Sequence, residues 1–244
     1  FTESYNTALF DTFTESLNIS DTEIDSMQSV SYDYGFVNAS PYEVITGGKY
    51  GGIVAVILSH FSDFAGVEFN FERYRNYNSF TNAVADGDID LYFNYYNFTD
   101  NYNETNGINI EYVVAARRDN NEVIKSLNSL IGKTVYVQES SKIYDYIKNI
   151  TDINIETFST TKDLFKLNKE DVYIVLDKNT FDYYSDNNLD NYTSRYSGYI
   201  NSEYTFKVRT DSALYNLLDK YISALDEEEI IIEGLDNHYE TIKS

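Results

Sequence analysis

Ser40 to Phe71 reads SPYEVITGGKYGGIVAVILSHFSDFAGVEFNF, and its reading decides the fold. Past Gly52, the apolar residues Ile53, Val54, Val56, Ile57, Phe61 and Phe64 fall at helical offsets and trace one face of an α-helix. Gly66 stops that helix. Val67, Phe69 and Phe71 follow with polar Glu68 and Asn70 between them, the period of a strand. Upstream, Val30, Tyr32 and Tyr34 alternate with Ser31 and Asp33 as a second strand. Strand, glycine-rich connection, helix and strand make a βαβ unit, which predicts a parallel sheet with a right-handed crossover.

Working outward, residues 1–29 read as a helical leader outside the sheet, with Ser20 and Glu23 spaced as a capping box. Asn78 or Ser79 starts a short helix that Gly87 ends, and Ile89, Leu91 and Phe93 form the next strand. Tyr95 to Asn109 reads as a polar loop with an Asn106-Gly107 turn signal. Tyr112 to Ala116 is a strand, and a second α/β series begins at Ser126. Its strands are Thr134–Val137, Ile153–Phe158 and the nearly all-apolar Val172–Leu176. Ser140 or Ser141 caps one helix, Thr160 or Thr161 caps another, and a third starts at Thr180. Tyr204–Val208 is a strand, and two helices close the chain.

At 244 residues the chain can form one domain or two lobes. With 18 basic and 40 acidic residues its formal charge is −22, which argues against nucleic acid and anionic lipid as partners. There is no Cys, as suits a chain outside the bacterial cytoplasm, and no apolar run approaches the ~20 residues of a membrane span. The chain opens at Phe1 without a signal peptide, and we read it as an excised or mature piece of a longer protein.

The order of parts from about residue 28 onward resembles the type II periplasmic solute-binding proteins, in the amino-acid-binding branch. Ser40-Pro41-Tyr42-Glu43 followed by Gly48-Lys49-Tyr50-Gly51-Gly52-Ile53 is similar to that family's opening motif. Ala85-Asp86-Gly87-Asp88-Ile89-Asp90-Leu91 is similar to its Gly-x-Ile-Asp segment. Ser126-Leu127 to Leu130-Ile131-Gly132-Lys133-Thr134-Val135 resembles its Gly-Lys-Thr-Val segment, and Asp171 to Asp177 its buried strand with a terminal carboxylate. Leu17 to Glu23 resembles the linker ahead of such domains in membrane sensor proteins. The resemblance implies an α/β, two-lobed fold, each lobe a mixed, mostly parallel sheet flanked by helices, joined by two hinge crossings. The divisions would be a leader 1–29, lobe 1 at 30–110 plus 205–244, and lobe 2 at 111–204.

Ligand-binding candidates follow residue by residue. Tyr42 matches the aromatic that covers the ligand, although a core tyrosine would look the same in a chain with 25 of them. Asn94, Tyr95, Asn97 and Thr99 follow a strand, where short polar side chains suit hydrogen bonding. Ser140 and Ser141 sit at a helix N-terminus, which favours an anion but which plain capping also explains. Asp177 ends an apolar strand where the family keeps a carboxylate for the ligand's amino group. One departure matters: Tyr102 stands where the family's carboxylate-gripping Arg would be, and Glu139 precedes Ser140. A ligand held in the usual amino-acid manner is therefore not implied, and a cationic or neutral solute, or none, remains open.

No feature reads as catalytic. His60 and His238 are far apart, no His-x-x-x-His metal motif or Gly-x-Ser-x-Gly elbow occurs, and Asp88 and Asp90 share a strand period only. We therefore expect no enzyme and no cofactor. Three roles fit: the extracellular or periplasmic sensor domain of a bacterial signalling protein, tethered to the membrane through flanking segments; the binding lipoprotein of an ABC importer; or a degenerate scaffold that binds protein. The expected ligand is an amino acid, an amine or a peptide-like solute.

Overall fold

The computed structural model describes residues 3–95, 100–139, 141–167, 169 and 171–236. The elements in chain order are α1 (Glu3–Ser16), α2 (Asp21–Gln28), β1 (Ser31–Phe36), β2 (Val44–Thr46), β3 (Lys49–Gly51), α3 (Ile53–Ala65), β4 (Glu68–Arg73), α4 (Tyr77–Asp86) and β5 (Leu91–Phe93). They continue with β6 (Asn103–Arg117), β7 (Thr134–Gln138), α5 (Lys142–Lys148), β8 (Asn154–Phe158), β9 (Val172–Asp177), α6 (Lys178–Tyr184), β10 (Tyr192–Val208), α7 (Ala213–Ser223) and α8 (Glu227–Asp236). The described residues form two compact units. Unit 1 takes residues up to 94, then 100–108 and 205 onward; unit 2 takes Tyr95 and 109–204. No described helix is long and apolar enough to cross a membrane.

In unit 1 the βαβ unit is β1, α3 and β4. β1 pairs in parallel with β4, from Ser31 opposite Glu68 to Phe36 opposite Arg73, and in parallel with β5. β10 joins β5 antiparallel, with Phe206 opposite Phe93. Helix α3 buries Ile53 through Leu58 without a break, then Phe61, Phe64 and Ala65. Each of its buried Val, Ile, Leu and Phe side chains contributes roughly 1.5–3 kcal/mol of apolar burial. A helix apolar on so many sides needs cover beyond the sheet, and α1, α7 and α8 supply it. Gly66 ends α3 in the left-handed region at φ +67°, its N–H donating to Ser62 O at 2.9 Å.

The leader is helical and lies outside the sheet, and it docks on this unit. Phe10 and Phe13 of α1 meet the Phe64 ring edge-on at 5.6 and 5.4 Å. Met27 of α2 is buried, and Gln28 Nε2 donates to Ala65 O at 3.0 Å. The Glu23 N–H donates to Ser20 Oγ at 3.2 Å, which caps α2.

In unit 2, β7 pairs in parallel with β8 and with β9, and β9 pairs antiparallel with β6. β9 is buried from Val172 to Leu176 because it has a core on each face. Tyr173 and Val175 pack with Val135 and Ile147 on one side, and Ile174 and Leu176 with Phe158 and Phe181 on the other.

Within unit 1 the strands run β4-β1-β5-β10, and within unit 2 β6-β9-β7-β8. β6 and β10, 15 and 17 residues long, each begin in one unit and end in the other. Three local expectations are corrected. Asn106-Gly107 is not a turn, since β6 runs through it. The Phe206 N–H donates to Thr105 Oγ1 at 3.2 Å and the Asn106 N–H to Asp219 of α7 at 2.6 Å, so the extended backbone has partners. β10 begins at Tyr192, well before Tyr204. Thr161–Leu164 is one 3₁₀ turn instead of a helix.

An unforeseen hairpin, β2 and β3, precedes α3. Val44 lies opposite Gly51, and Gly47 and Gly48 turn it with φ of +58° and +77°, both positive as a type I′ turn requires. At Gly52 φ is +97°, and a Cβ there would lie 2.5 Å from Tyr42 O and 2.8 Å from Pro41 O. Gly52→Ala is expected to destabilise the chain by about 2–3 kcal/mol, from an unfavourable backbone region plus a clash with main chain. Urea unfolding checks this, and a loss under about 0.5 kcal/mol would show the backbone can yield.

Candidate functional site

The segment before α3 is folded back over the helix's first turn. The Ile53 N–H donates to Pro41 O at 3.2 Å and the Val54 N–H to Tyr42 O at 2.9 Å. These two carbonyls take the place of a side-chain cap, which Gly52 cannot provide. The Tyr42 ring is 1% exposed and lies 6.0 Å from the Phe93 ring, within the core of unit 1. Glu43 is fully buried. Tyr34 donates its hydroxyl to Oε1 at 2.5 Å, the Val37 N–H donates to Oε2 at 2.7 Å, and the Asn38 N–H also reaches the carboxyl. Burial pushes this carboxyl up to about 8, with the three donors pulling the other way.

Asn94 follows β5, and its N–H donates to Thr205 O at 2.8 Å. Asn94 Oδ1 and Thr205 Oγ1 are both buried without a hydrogen-bond partner. Thr205 is 3% exposed and escaped the sequence reading, because a Thr in a strand is an ordinary β-former. Tyr102, standing where the resemblance places an Arg, donates its hydroxyl to Ile89 O at 2.5 Å and Val84 O at 3.3 Å. Burial pushes that hydroxyl up to about 12. Lys207 lies 3.7 Å from Asp100 and 3.2 Å from Glu104. Tyr92 also donates to Asp100.

In unit 2, Tyr95, Ser141 and Asp177 are joined by one network. Gln138 Nε2 donates to Tyr95 O at 3.4 Å, and Ser141 Oγ donates to Gln138 O at 2.9 Å. The Tyr95 ring lies 5.7 Å from the Tyr204 ring, and the Tyr204 hydroxyl donates to Asp177 Oδ2 at 2.9 Å. Asp177 caps α6: the Thr180 N–H donates to Oδ1 at 2.9 Å and the Thr180 hydroxyl to Oδ2 at 2.6 Å. Ser141 caps α5 by accepting the Tyr144 N–H at 3.1 Å. Glu203, also missed in sequence, accepts the Lys142 N–H on Oε1 at 2.9 Å, while its Oε2 is buried without a partner. Burial raises its carboxyl above the usual range, the Lys142 N–H opposes that, and the nearby Asp177 charge adds to it.

The structure thus gathers Tyr95, Ser141 and Asp177 in unit 2, and places Tyr42 and Asn94 against β5 in unit 1. Asn97, Thr99 and Ser140 lie outside the described residues. Among the described residues no group of three or more His, Asp or Glu side chains could hold a metal ion.

Neither a family model nor a curated protein matches the sequence. Solved structures do match. The BvgS VFT2 domain of Bordetella pertussis is 16% identical with a TM-score of 0.72, covering 91% of this chain and 98% of that one. ArgBP of T. maritima is 20% identical with a TM-score of 0.63, over 88% and 99% of the two chains. The GluR0 ligand-binding core, solved with L-glutamate, is 14% identical with a TM-score of 0.63, over 86% and 99%. The fold is therefore that of the type II periplasmic binding proteins, the two-lobed Venus-flytrap architecture, and these similar structures are binding and sensor domains, not enzymes.

Glu43 makes stability depend on pH. Its folded pKa, about 8, lies above the ordinary glutamate value of 4.5, so its stabilising contribution is complete below 4.5 and is lost as pH rises through 8. Between those values the wild type should lose up to about 1.4 kcal/mol per pH unit relative to Glu43→Gln. Unfolding of both proteins at pH 5, 7 and 9 measures the difference, and parallel pH profiles would refute it.

Proposed function

We propose that this chain is an extracytoplasmic ligand-recognition domain of a membrane-bound bacterial signalling protein, taking an amino-acid, amine or peptide-like solute. The observation that carries this reading is the unpartnered buried pair at the C-terminal end of β5, Asn94 Oδ1 and Thr205 Oγ1. An unsatisfied buried polar atom costs roughly 1–3 kcal/mol, and the carboxyl ends of strands are where open α/β sheets take ligands. A solute offering a donor to Asn94 and a polar group to Thr205 relieves both. Asn94 is thus the leading contact among Tyr42, Asn94, Tyr95, Ser141 and Asp177. Support for a sensor in place of an importer component is the docked helical leader, together with the likeness to the BvgS VFT2 domain over 91% of this chain.

One observation favours the scaffold reading instead. Asp177 and Ser141 are already engaged as helix caps, and Tyr42 is buried in the core. A thermal-shift screen of amino acids, amines and short peptides separates the two readings, since a ligand at 100 times its Kd adds about 2.7 kcal/mol. No stabilising compound would favour the scaffold. In the coding sequence, a transmembrane helix beyond Ser244 supports the sensor, and a lipobox Cys upstream supports the importer.

Thr205→Val tests the site itself. Replacing an unpartnered buried hydroxyl by a methyl should stabilise the free chain by about 1 kcal/mol. The same change, like Asn94→Ala, should weaken any hit at least tenfold. A hit that both variants bind as the wild type does would remove the β5 end from the site.

A further inference from the structure

Helix α8 is seated on the first turn of α3 by an unusually close contact. Gly234 is buried, and a Cβ there would lie 2.5 Å from Ile53 Cα, 2.8 Å from its Cγ1 and 3.0 Å from its backbone nitrogen. Backbone rests on backbone, an approach that only glycine permits. Ile53 is the residue whose N–H donates to Pro41 O, and its neighbour Val54 donates to Tyr42 O. Helix α8 therefore touches the very turn that holds the Pro41–Tyr42 segment, with no layer between. A second contact lies further along α3, where His60 Nε2 is 2.8 and 3.0 Å from the two carboxylate oxygens of Glu233.

Burial of α8 itself is slight. Gly234 is its one buried residue among those described, three glutamates fill its first turn, and Ile232 is 54% exposed. An element with so little burial belongs to the low end of local stability, where opening without global unfolding occurs. The contact that fixes it, by contrast, falls on a turn whose hydrogen bonds run directly to Pro41 and Tyr42.

We propose that α8 is a coupling strap for the Pro41–Tyr42 segment: the seating of Gly234 on Ile53 and the position of that segment are linked, so that each biases the other. Linkage of this kind is reciprocal. Release of α8 loosens the α3 first turn, and displacement of the segment that carries Tyr42 weakens the seat of α8. The coupling stands whether or not a solute meets Tyr42. With a solute there, α8 is where occupancy is read out.

Hydrogen exchange on the full chain tests this without any ligand. Exchange is read relative to β1 and β4 of the same unit, so that a loss of stability of unit 1 as a whole cancels. Gly234→Ala should speed exchange across α8 at least tenfold and lower protection of the Ile53 and Val54 amides with it. His60→Ala, which leaves the core intact, should move the same two sets of amides together by a smaller factor. Two results overturn the proposal: α8 loosens in either variant while Ile53 and Val54 keep wild-type protection, or Gly234→Ala leaves α8 as protected as before.

Discussion

Helix α3 starts without a side-chain cap, and unit 1 is arranged around the substitute. The first N–H groups of any helix need acceptors from outside it. Here Pro41 and Tyr42 supply two carbonyls, which obliges residues 41–43 to lie across the helix start. Gly52 must then pass within contact of those carbonyls in a conformation open only to glycine. Once the segment lies there, Tyr42 falls against Phe93 and Glu43 falls inside, where Tyr34 and the backbone of Val37 receive it. The close seat of Gly234 on Ile53 adds the last helix to the same turn.

The chain's surplus of acid explains how its buried carboxylates are held. With 40 acidic and 18 basic residues, cations are scarce, while backbone N–H groups and the hydroxyls of 25 tyrosines are plentiful. Buried Glu43 and half-buried Asp177 and Glu203 accordingly meet N–H and O–H donors. Such donors offset desolvation less than a full positive charge does, which is why Glu43 and Glu203 are pushed up. Where a cation is present, as for Asp90 with Arg209 at 2.6 Å, the same carboxylate also accepts the Asp33 N–H at 2.8 Å and pins two strand ends.

Local chemistry was legible in the sequence, and surroundings were not. Gly66 and Gly87 as helix ends, Ser20 as a cap and β9 as a strand buried on both faces each follow from a few adjacent residues. Asn106-Gly107 misled because a turn signal is a preference, and Phe206 and Asp219, distant in sequence, decide it. The first part of β10 was missed because its burial does not alternate cleanly, with Ser194, Ser197, Tyr199 and Asn201 exposed. Asp177 was placed correctly at a strand end, but a helix cap and an ammonium contact ask for the same carboxylate, so position alone could not assign its work. Thr205 carried no signal, since lacking a partner is a property of its neighbours.

A group approaching Asp177 must compete with Thr180 and Tyr204, so a new hydrogen bond replaces an old one and the net gain is small. Asn94 Oδ1 and Thr205 Oγ1 have no protein partner to displace, and both are shut off from water. For equal geometry a contact to either is worth more by about the cost of an unsatisfied polar atom, roughly 1–3 kcal/mol. The most conspicuous acidic residue of the sequence is thus already in use by the fold, as the cap of α6.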